Sequence, residues 1–144
     1  LTNLSKDCQA LVRFRTGDLI RLTNTDQCQC GRTAPRFRVI GRTDEMIVVR
    51  GVNTYPSSVS AAVHSCPELN GEYRIRLTHK GPYHRLPLEV ELNSSVPPSD
   101  HLAATLSHQI GEVLRLTVEL DLLAPGELPR TEGKTKRVIK EYLS

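Results

Sequence analysis

A lysine directly after a glycine is the residue of this sequence best suited to reactive chemistry. Gly133 and Lys134 lie within LPRTEGKTKRV, residues 128–138. Glycine lets the backbone turn sharply, so Lys134 is expected at the tip of a loop. Its ammonium is a compact charge with three donors, which can neutralise a phosphate and an attacking carboxylate together. Lys136 and Arg137 are expected to be surface charges at the start of a helix. The alternative for Lys134 is a place in a solvated basic tail.

Two aspartates and an arginine further upstream are candidates for binding a nucleotide. Asp18 follows a glycine in FRTGDL, residues 14–19, and its two acceptor oxygens suit the vicinal hydroxyls of a ribose. Arg42 and Asp44 lie in GRTDEMIVVRG, residues 41–51, where the arginine could donate to phosphate or ribose oxygens. Each motif also has a simpler interpretation. Asp18 could cap a hairpin turn, and Arg42 with Asp44 could form an exposed ion pair that adds little stability.

The pair Cys28 and Cys30 raises the question of a metal site. Together with Cys8, Cys66 or a histidine, the pair could supply four soft ligands. One intervening residue is shorter than the usual spacing of zinc ligands, and the sequence has no second pair of this kind. A tight turn before Gly31 is therefore the simpler interpretation.

Hydrophobic periodicity indicates which elements position these residues. Residues 10–23 alternate on both sides of TGD and predict two short strands, and RFRVIGR predicts a third. An apolar run from Met46 to Val49 predicts a buried strand stopped by a turn at Gly51. The patterns that follow predict a short helix beginning near Pro56, a strand hairpin over 71–93, a helix capped by Ser99 or Asp100, a strand over 116–123 and an amphipathic helix over 134–143.

This order of elements predicts an α+β fold after residue 44, in which a small mixed sheet packs with helices. Residues 1–43 contain only strand and loop patterns. The change of composition near GRTDEM predicts a boundary between a terminal β segment, residues 1–43, and an α+β domain, residues 44–144.

Composition and charge argue against several classes of protein. Aromatic residues make up 4% of the 144 residues, tryptophan is absent and the net charge is only +3, which suits nucleic acids poorly. The basic tail keeps that alternative open. No apolar run approaches the roughly 18 residues of a membrane-spanning helix, and the start lacks a signal-peptide pattern. The cytoplasm, with reduced thiols, is therefore the expected compartment.

Four motifs in one order give the sequence a family resemblance. FRTGDL, CQCGR before PRF, GRTDEMIVVRGVNTYP and LPRTEGKTKRV resemble the C-terminal part of adenylate-forming enzymes, the acyl-CoA synthetase superfamily. The resemblance is closest to the phenylacetate-CoA ligase branch, to which coenzyme F390 synthetase also belongs. It covers nearly the whole chain, and the fold it implies is that of the C-terminal domain of AMP-binding enzymes, preceded by the last β segment of the large domain.

The resemblance implies a reaction in two steps and a role for each motif. A carboxylate attacks the α-phosphate of ATP to form an acyl-adenylate and pyrophosphate, and the thiol of CoA then displaces AMP. By matching motif, Lys134 would be the adenylation lysine and Asp18 would bind the ribose hydroxyls. Arg42 would contact ribose or phosphate, and Asp44 would be the hinge between the large and small domains.

The resemblance also implies what lies outside this sequence. The loop Arg50, Gly51 and Val52 would serve thioester formation, and the family uses Mg²⁺ with ATP. A large N-terminal domain would hold the carboxylic acid, and the sequence, which begins at Leu1, is expected to be a piece of such a ligase that is inactive alone. Two alternatives stay open: a fragment of a coenzyme F390 synthetase-type adenylyltransferase, or a stand-alone binding module that could pair into a homodimer.

Overall fold

The computed structural model describes residues 2, 11–130 and 136–143. Contacts between residues divide the chain into two units, with the division between Asp44 and Glu45. In the part of the chain that is described, no helix is both long and apolar enough to span a membrane.

The first unit is built on an antiparallel hairpin. Strand β1 (Asp18–Asn24) pairs with β2 (Arg36–Arg42), and Asp18 lies opposite Arg42. The prediction of a strand before TGD is wrong, because residues 11–17 contain no strand, whereas the predicted strand after TGD is confirmed as β1. Gly17, at φ +79°, breaks the extended backbone just before β1. Apolar side chains stay exposed on both strands, at Leu19, Ile20, Leu22, Phe37 and Val39.

The second unit is a mixed α+β fold, as the sequence predicts. Its elements are β3 (Ile47–Val49), β4 (Val52–Thr54), α1 (Pro56–His64), β5 (Leu69–Leu77), β6 (Leu86–Leu92), α2 (Asp100–Leu114), β7 (Val118–Leu123) and β8 (Val138–Lys140). Four of the strands form a sheet in the order β7–β6–β5–β8. Strands β5 and β6 are antiparallel, whereas β7 and β8 each run parallel to their neighbours.

Both helices begin and pack as their sequences dictate. Pro56 lies in the first turn of α1, where its missing N–H costs nothing. Ser99 caps α2, because its Oγ accepts a hydrogen bond from Leu102 N at 3.2 Å. The buried face of α1, including Val59 and Val63, joins Leu106 and Ile110 of α2 in one core with the sheet. Because this core fixes β5 and β6 in place, the charged side chains on these two strands also have defined positions.

The end of the chain is a strand where the sequence predicts a helix. Strand β8 pairs with β5, Val138 opposite Ile75, and a short 3₁₀ helix (Glu141–Leu143) follows. Ile75 N donates to the carbonyl of Arg137 at 2.8 Å, so β8 completes hydrogen bonds that β5 would otherwise lack on that edge. The prediction of an amphipathic helix over 134–143 is therefore wrong where the structure describes it, because tertiary pairing overrides a weak local pattern.

Candidate functional site

The structure brings together Asp18, Arg42 and Asp44, the predicted nucleotide-binding and hinge residues. The guanidinium of Arg42 makes a bidentate contact with Asp44, with Nε 3.0 Å from Oδ1 and Nη2 3.1 Å from Oδ2. Its Nη1 lies 3.5 Å from Oδ1 of Asp18. The ion pair considered as the simpler interpretation of Arg42 and Asp44 is thus present, and it also includes Asp18.

Backbone contacts between the two motifs hold this cluster in place. The carbonyl of Gly17 accepts hydrogen bonds from Thr43 N at 2.8 Å and from Thr43 Oγ1 at 3.1 Å. Arg42 Nη1 donates to the carbonyl of Thr16 at 3.2 Å. A Cβ on Gly17 would lie 3.5 Å from Arg42 Nη2, in ordinary contact, so the glycine is required there by its positive φ rather than by space.

The cluster keeps enough exposure to bind a ligand. The side chains of Asp18, Arg42 and Asp44 are 33%, 45% and 62% exposed. At such exposure an ion pair adds little to stability, because water screens both charges. What the arrangement offers chemically is a carboxylate with acceptor oxygens beside a guanidinium with donors, a combination that suits ribose hydroxyls and phosphate.

The predicted thioester-step loop is a tight hairpin turn. Arg50 and Gly51 are the two residues between paired Val49 and Val52, with φ of +49° and +82°. Positive φ at both positions defines a type I′ turn, which fits the twist of its strands. The glycine turn after the buried strand is thus confirmed, but the chain continues into β4. Arg50 is exposed at the tip, and its positive φ is unusual for a residue with a side chain.

Tyr83 anchors this turn to a neighbouring loop. Its backbone N donates to the carbonyl of Val48 at 2.9 Å, and its carbonyl accepts from Arg50 N at 2.8 Å. Its hydroxyl donates to the carbonyl of His79 at 2.8 Å and accepts from the His79 N–H at 2.9 Å. The position of Arg50 is therefore fixed by a loop that sequence reasoning did not connect with it.

Replacing Gly51 with alanine is expected to lower the free energy of unfolding by about 1–2 kcal/mol, the cost of a left-handed conformation for a residue with a Cβ. The space around Gly51 is open, so the loss would come from the backbone alone. Chemical denaturation of the chain measures it. Gly51→Asn is the matched variant, and its loss should be smaller because asparagine tolerates positive φ. Equal losses for the two variants would contradict this explanation.

Lys134 lies outside the described residues, but residues on both sides of it are placed. Arg137 is no solvated charge, contrary to the prediction. Its Nη1 and Nη2 contact the two carboxylate oxygens of Glu72 at 2.6 and 3.2 Å, and its guanidinium lies 4.7 Å from the centre of the Tyr73 ring. On the other side, Arg130 Nη1 lies 3.0 Å from Glu72 Oε2. Lys136 is exposed, in keeping with a surface charge.

A buried glutamate that the sequence analysis missed holds the chain before the lysine. Glu91 on β6 is fully buried and accepts hydrogen bonds from the backbone N–H groups of Gly126 and Leu128, at 3.1 and 2.7 Å. It also accepts from Asn70 Nδ2 and Arg130 Nη2, both at 2.7 Å. The sequence signal that could have revealed this role is a glutamate within the largely apolar strand LPLEVEL, at the place where a later loop packs against the sheet.

Hydrogen bonds and nearby positive charges keep Glu91 and Glu72 ionised. Burial by itself raises the pKa of Glu91, but hydrogen bonds from Asn70 and from two backbone N–H groups, with the charge of Arg130, outweigh burial and lower it. Hydrogen bonds from Arg137 lower the pKa of Glu72 against a smaller opposing effect of burial. Both carboxylates are therefore charged partners of the arginines at neutral pH.

Cys28 and Cys30 form a tight turn. Gly31 N donates to the carbonyl of Cys28 at 2.8 Å, and Cys28 N donates to the carbonyl of Arg32 at 2.9 Å. Hydrogen bonds from the backbone and the thiol of Cys30 lower the pKa of Cys28. No group of three or more His, Cys, Asp or Glu side chains among residues 2, 11–130 and 136–143 could hold a metal, and Cys8 lies outside these ranges.

The fold and the four motifs define a class, the small α+β domain of adenylate-forming enzymes. The family model described as the AMP-binding enzyme C-terminal domain matches residues 51–141. The chain belongs to this family. The phenylacetate-coenzyme A ligase of Thermus thermophilus is 36% identical to it over 157 residues, which cover 96% of this chain and 35% of that ligase. The chain thus spans about a third of that relative's length.

Solved structures of an acyl-CoA ligase are similar to the chain. The structure of 2-hydroxyisobutyryl-CoA ligase in the postadenylation state with 2-HIB-AMP matches with a TM-score of 0.80 and 35% identity, over 91% of this chain and 29% of that one. The same ligase with 2-HIB-AMP and CoA in the thioesterification state matches with a TM-score of 0.60 and 34% identity, over 92% and 29%. The first of these structures contains 2-HIB-AMP, and the second contains 2-HIB-AMP and CoA.

Proposed function

We propose that this chain is the C-terminal part of an AMP-forming acid–thiol ligase resembling phenylacetate-CoA ligases. The observation that carries the proposal is the cluster of Asp18, Arg42 and Asp44, in which two separate motifs meet in one network of ion pairs and backbone hydrogen bonds. A hairpin turn or an isolated ion pair could form within one motif, whereas this network needs residues of both FRTGDL and GRTDEMIVVRG. The larger size of the relatives supports a further, large domain that holds the carboxylic acid.

In the first step a carboxylate oxygen of the acid attacks the α-phosphorus of ATP, and the bond to the β-phosphate oxygen breaks to release pyrophosphate. Both reactants are anions, so a cation is needed between them. Lys134 would supply it. The carboxylate of Asp18 would accept hydrogen bonds from the ribose hydroxyls, and Arg42 would donate to ribose or phosphate while holding Asp18 in place.

In the second step the sulfur of CoA attacks the acyl carbonyl carbon, the bond to AMP breaks, and the thiol proton is released. A lysine fixed between the reactants would obstruct this step. Asp44 would act as the hinge that exchanges Lys134 for the loop of Arg50, Gly51 and Val52. The division of the chain immediately after Asp44 supports this role. The turn fixed by Tyr83 would present Arg50 without reorganisation.

Mg²⁺ in this family accompanies ATP, and the described residues supply no group of three or more ligands for a resident ion. Since the reaction consumes ATP and CoA, the cytoplasm is the compartment where it would run.

The proposal is tested with the full-length gene product, phenylacetate as the probe acid, and two assays. These are acid-dependent exchange of labelled pyrophosphate into ATP and formation of the CoA thioester. Activity in both supports the ligase. Exchange without any thioester would favour an adenylyltransferase of the coenzyme F390 synthetase type, and no exchange with phenylacetate or a panel of aryl and fatty acids would favour a binding module.

Asp18→Asn is expected to raise the KM for ATP roughly tenfold or more, because a hydrogen bond to a charged acceptor is replaced by a weaker one to a neutral amide. The KM for the acid should stay unchanged, since the acid pocket lies elsewhere. Asp26→Asn is the matched control on an exposed loop of the same unit. Steady-state kinetics of the full-length gene product measure both values, and an equal effect of the two substitutions would exclude a specific role for Asp18.

A further inference from the structure

One carboxylate joins the two sides of the segment that contains Lys134. Glu72 lies on β5 and contacts Arg130, which precedes residues 131–135, and Arg137, which follows them. The Arg137 contact is bidentate, and Arg137 Nη1 also donates to the carbonyl of Tyr73 at 3.1 Å. A planar guanidinium held by two parallel contacts has a defined orientation as well as a defined position.

Each of these arginines is also fixed to the sheet by a second contact. Arg130 Nη2 donates to the buried Glu91 at 2.7 Å, and the side chain of Leu128, two residues earlier, is buried. On the other side, the carbonyl of Arg137 accepts from Ile75 N, and β8 begins at the next residue. The described chain on both sides of residues 131–135 is therefore attached to β5 and β6, on one side through Arg137, which the sequence analysis took for a surface charge.

We propose that Glu72 is a positioning residue for the adenylation step: through Arg130 and Arg137 it holds the described chain on both sides of Lys134 against β5. This inference rests on the proposed function. The loss of either contact would let the chain on that side of Lys134 move. A displacement of about 1 Å at a catalytic group can cost roughly 100-fold in rate.

The charge of Glu72 supports this role. Hydrogen bonds from Arg137 lower its pKa, so the carboxylate stays ionised and keeps both arginines at neutral pH. The Glu72 side chain is 26% exposed, and the neighbouring core is closed by apolar side chains of β5 and the helices.

The experiment uses Glu72→Gln in the full-length gene product and measures the two half-reactions separately. We expect acid-dependent pyrophosphate exchange to fall roughly 100-fold, while thioester formation from a supplied acyl-adenylate stays within about twofold. The KM for ATP should not change. A merely structural role would lower both half-reactions together, in step with a loss of thermal stability, and would overturn the proposal.

Arg137→Lys separates geometry from charge and provides a second variant should Glu72→Gln fail to fold. It keeps the positive charge but loses the bidentate contact, so it should reproduce the selective loss of exchange. Wild-type exchange in Arg137→Lys would overturn the proposal.

Glu89→Gln is the matched control. Glu89 is buried on β6 and pairs with Arg74 and Arg76, but neither arginine flanks residues 131–135. It should not change the ratio of the two half-reactions, and a selective loss of exchange in this control would overturn the proposal. If the wild-type protein itself shows no exchange, the proposed function fails and this inference fails with it. If the wild type is active and Glu72→Gln affects both steps equally, only the inference fails.

Discussion

Lys134→Ala in the full-length gene product is expected to lower acid-dependent pyrophosphate exchange by roughly 100- to 1,000-fold, the usual cost of removing one preorganised donor from a charged transition state. The reason is electrostatic. The attacking carboxylate and the triphosphate repel each other, and in the proposed mechanism the lysine is the cation brought between them. Thioester formation from a supplied acyl-adenylate should be retained, because that step has no need of this charge.

Lys136→Ala is the matched control for this prediction. The two lysines lie two residues apart, so both substitutions change the net charge of the same stretch by one unit, and Lys136 is exposed to solvent. The pyrophosphate-exchange activity of the Lys136→Ala variant should equal that of the unsubstituted protein. Equal loss of both half-reactions in Lys134→Ala, or no loss in either, would remove the reactive role assigned to this residue and return the segment to the basic tail considered at the outset.

The ordered motifs predicted more of the site than any one of them could. Asp18 and Arg42 lie opposite each other because Asp18 is the first residue of β1 and Arg42 is the last residue of β2, so the two ends meet when the strands pair. Local patterns could predict β2 and the acceptor character of Asp18. They could not predict the register, which depends on bulges within the hairpin. The proximity of the three residues is a finding of the structure, and their roles stay predictions.

The errors fall where long-range pairing decides local structure. VIK at residues 138–140 is too short to show a period of its own, and it becomes a strand because β5 has an open edge there. Glu89 and Glu91 alternate with Leu88, Val90 and Leu92, a pattern typical of a strand with one solvated face. Both glutamates are nevertheless buried. Arginines of β5 cover Glu89, and the loop around residues 124–130 covers Glu91, a contact between segments distant in sequence.

Glu91→Ala is expected to lower the free energy of unfolding by about 3 kcal/mol or more, a typical cost of removing one partner of a buried ion pair. The substitution would leave the N–H groups of Gly126 and Leu128 without their acceptor and would remove one of the two carboxylates that pair with Arg130. Chemical denaturation of the chain measures the change. Glu119→Ala on the adjacent strand β7 is the control, because that side chain is exposed and should change stability by less than about 0.5 kcal/mol.

The acid dependence of stability gives this network a second, independent signature. The folded-state pKa of Glu91 is lowered, so its stabilising contribution is fully present above the ordinary glutamate pKa of about 4.3 and is lost as the pH falls through the folded value. The isosteric Glu91→Gln cannot titrate. The stability difference between the unsubstituted chain and Glu91→Gln should therefore be constant near neutrality and shrink on acidification below about pH 4.3. A difference that does not change down to the acid transition would mean that hydrogen bonds alone, and not the charge of Glu91, hold the chain ahead of Lys134.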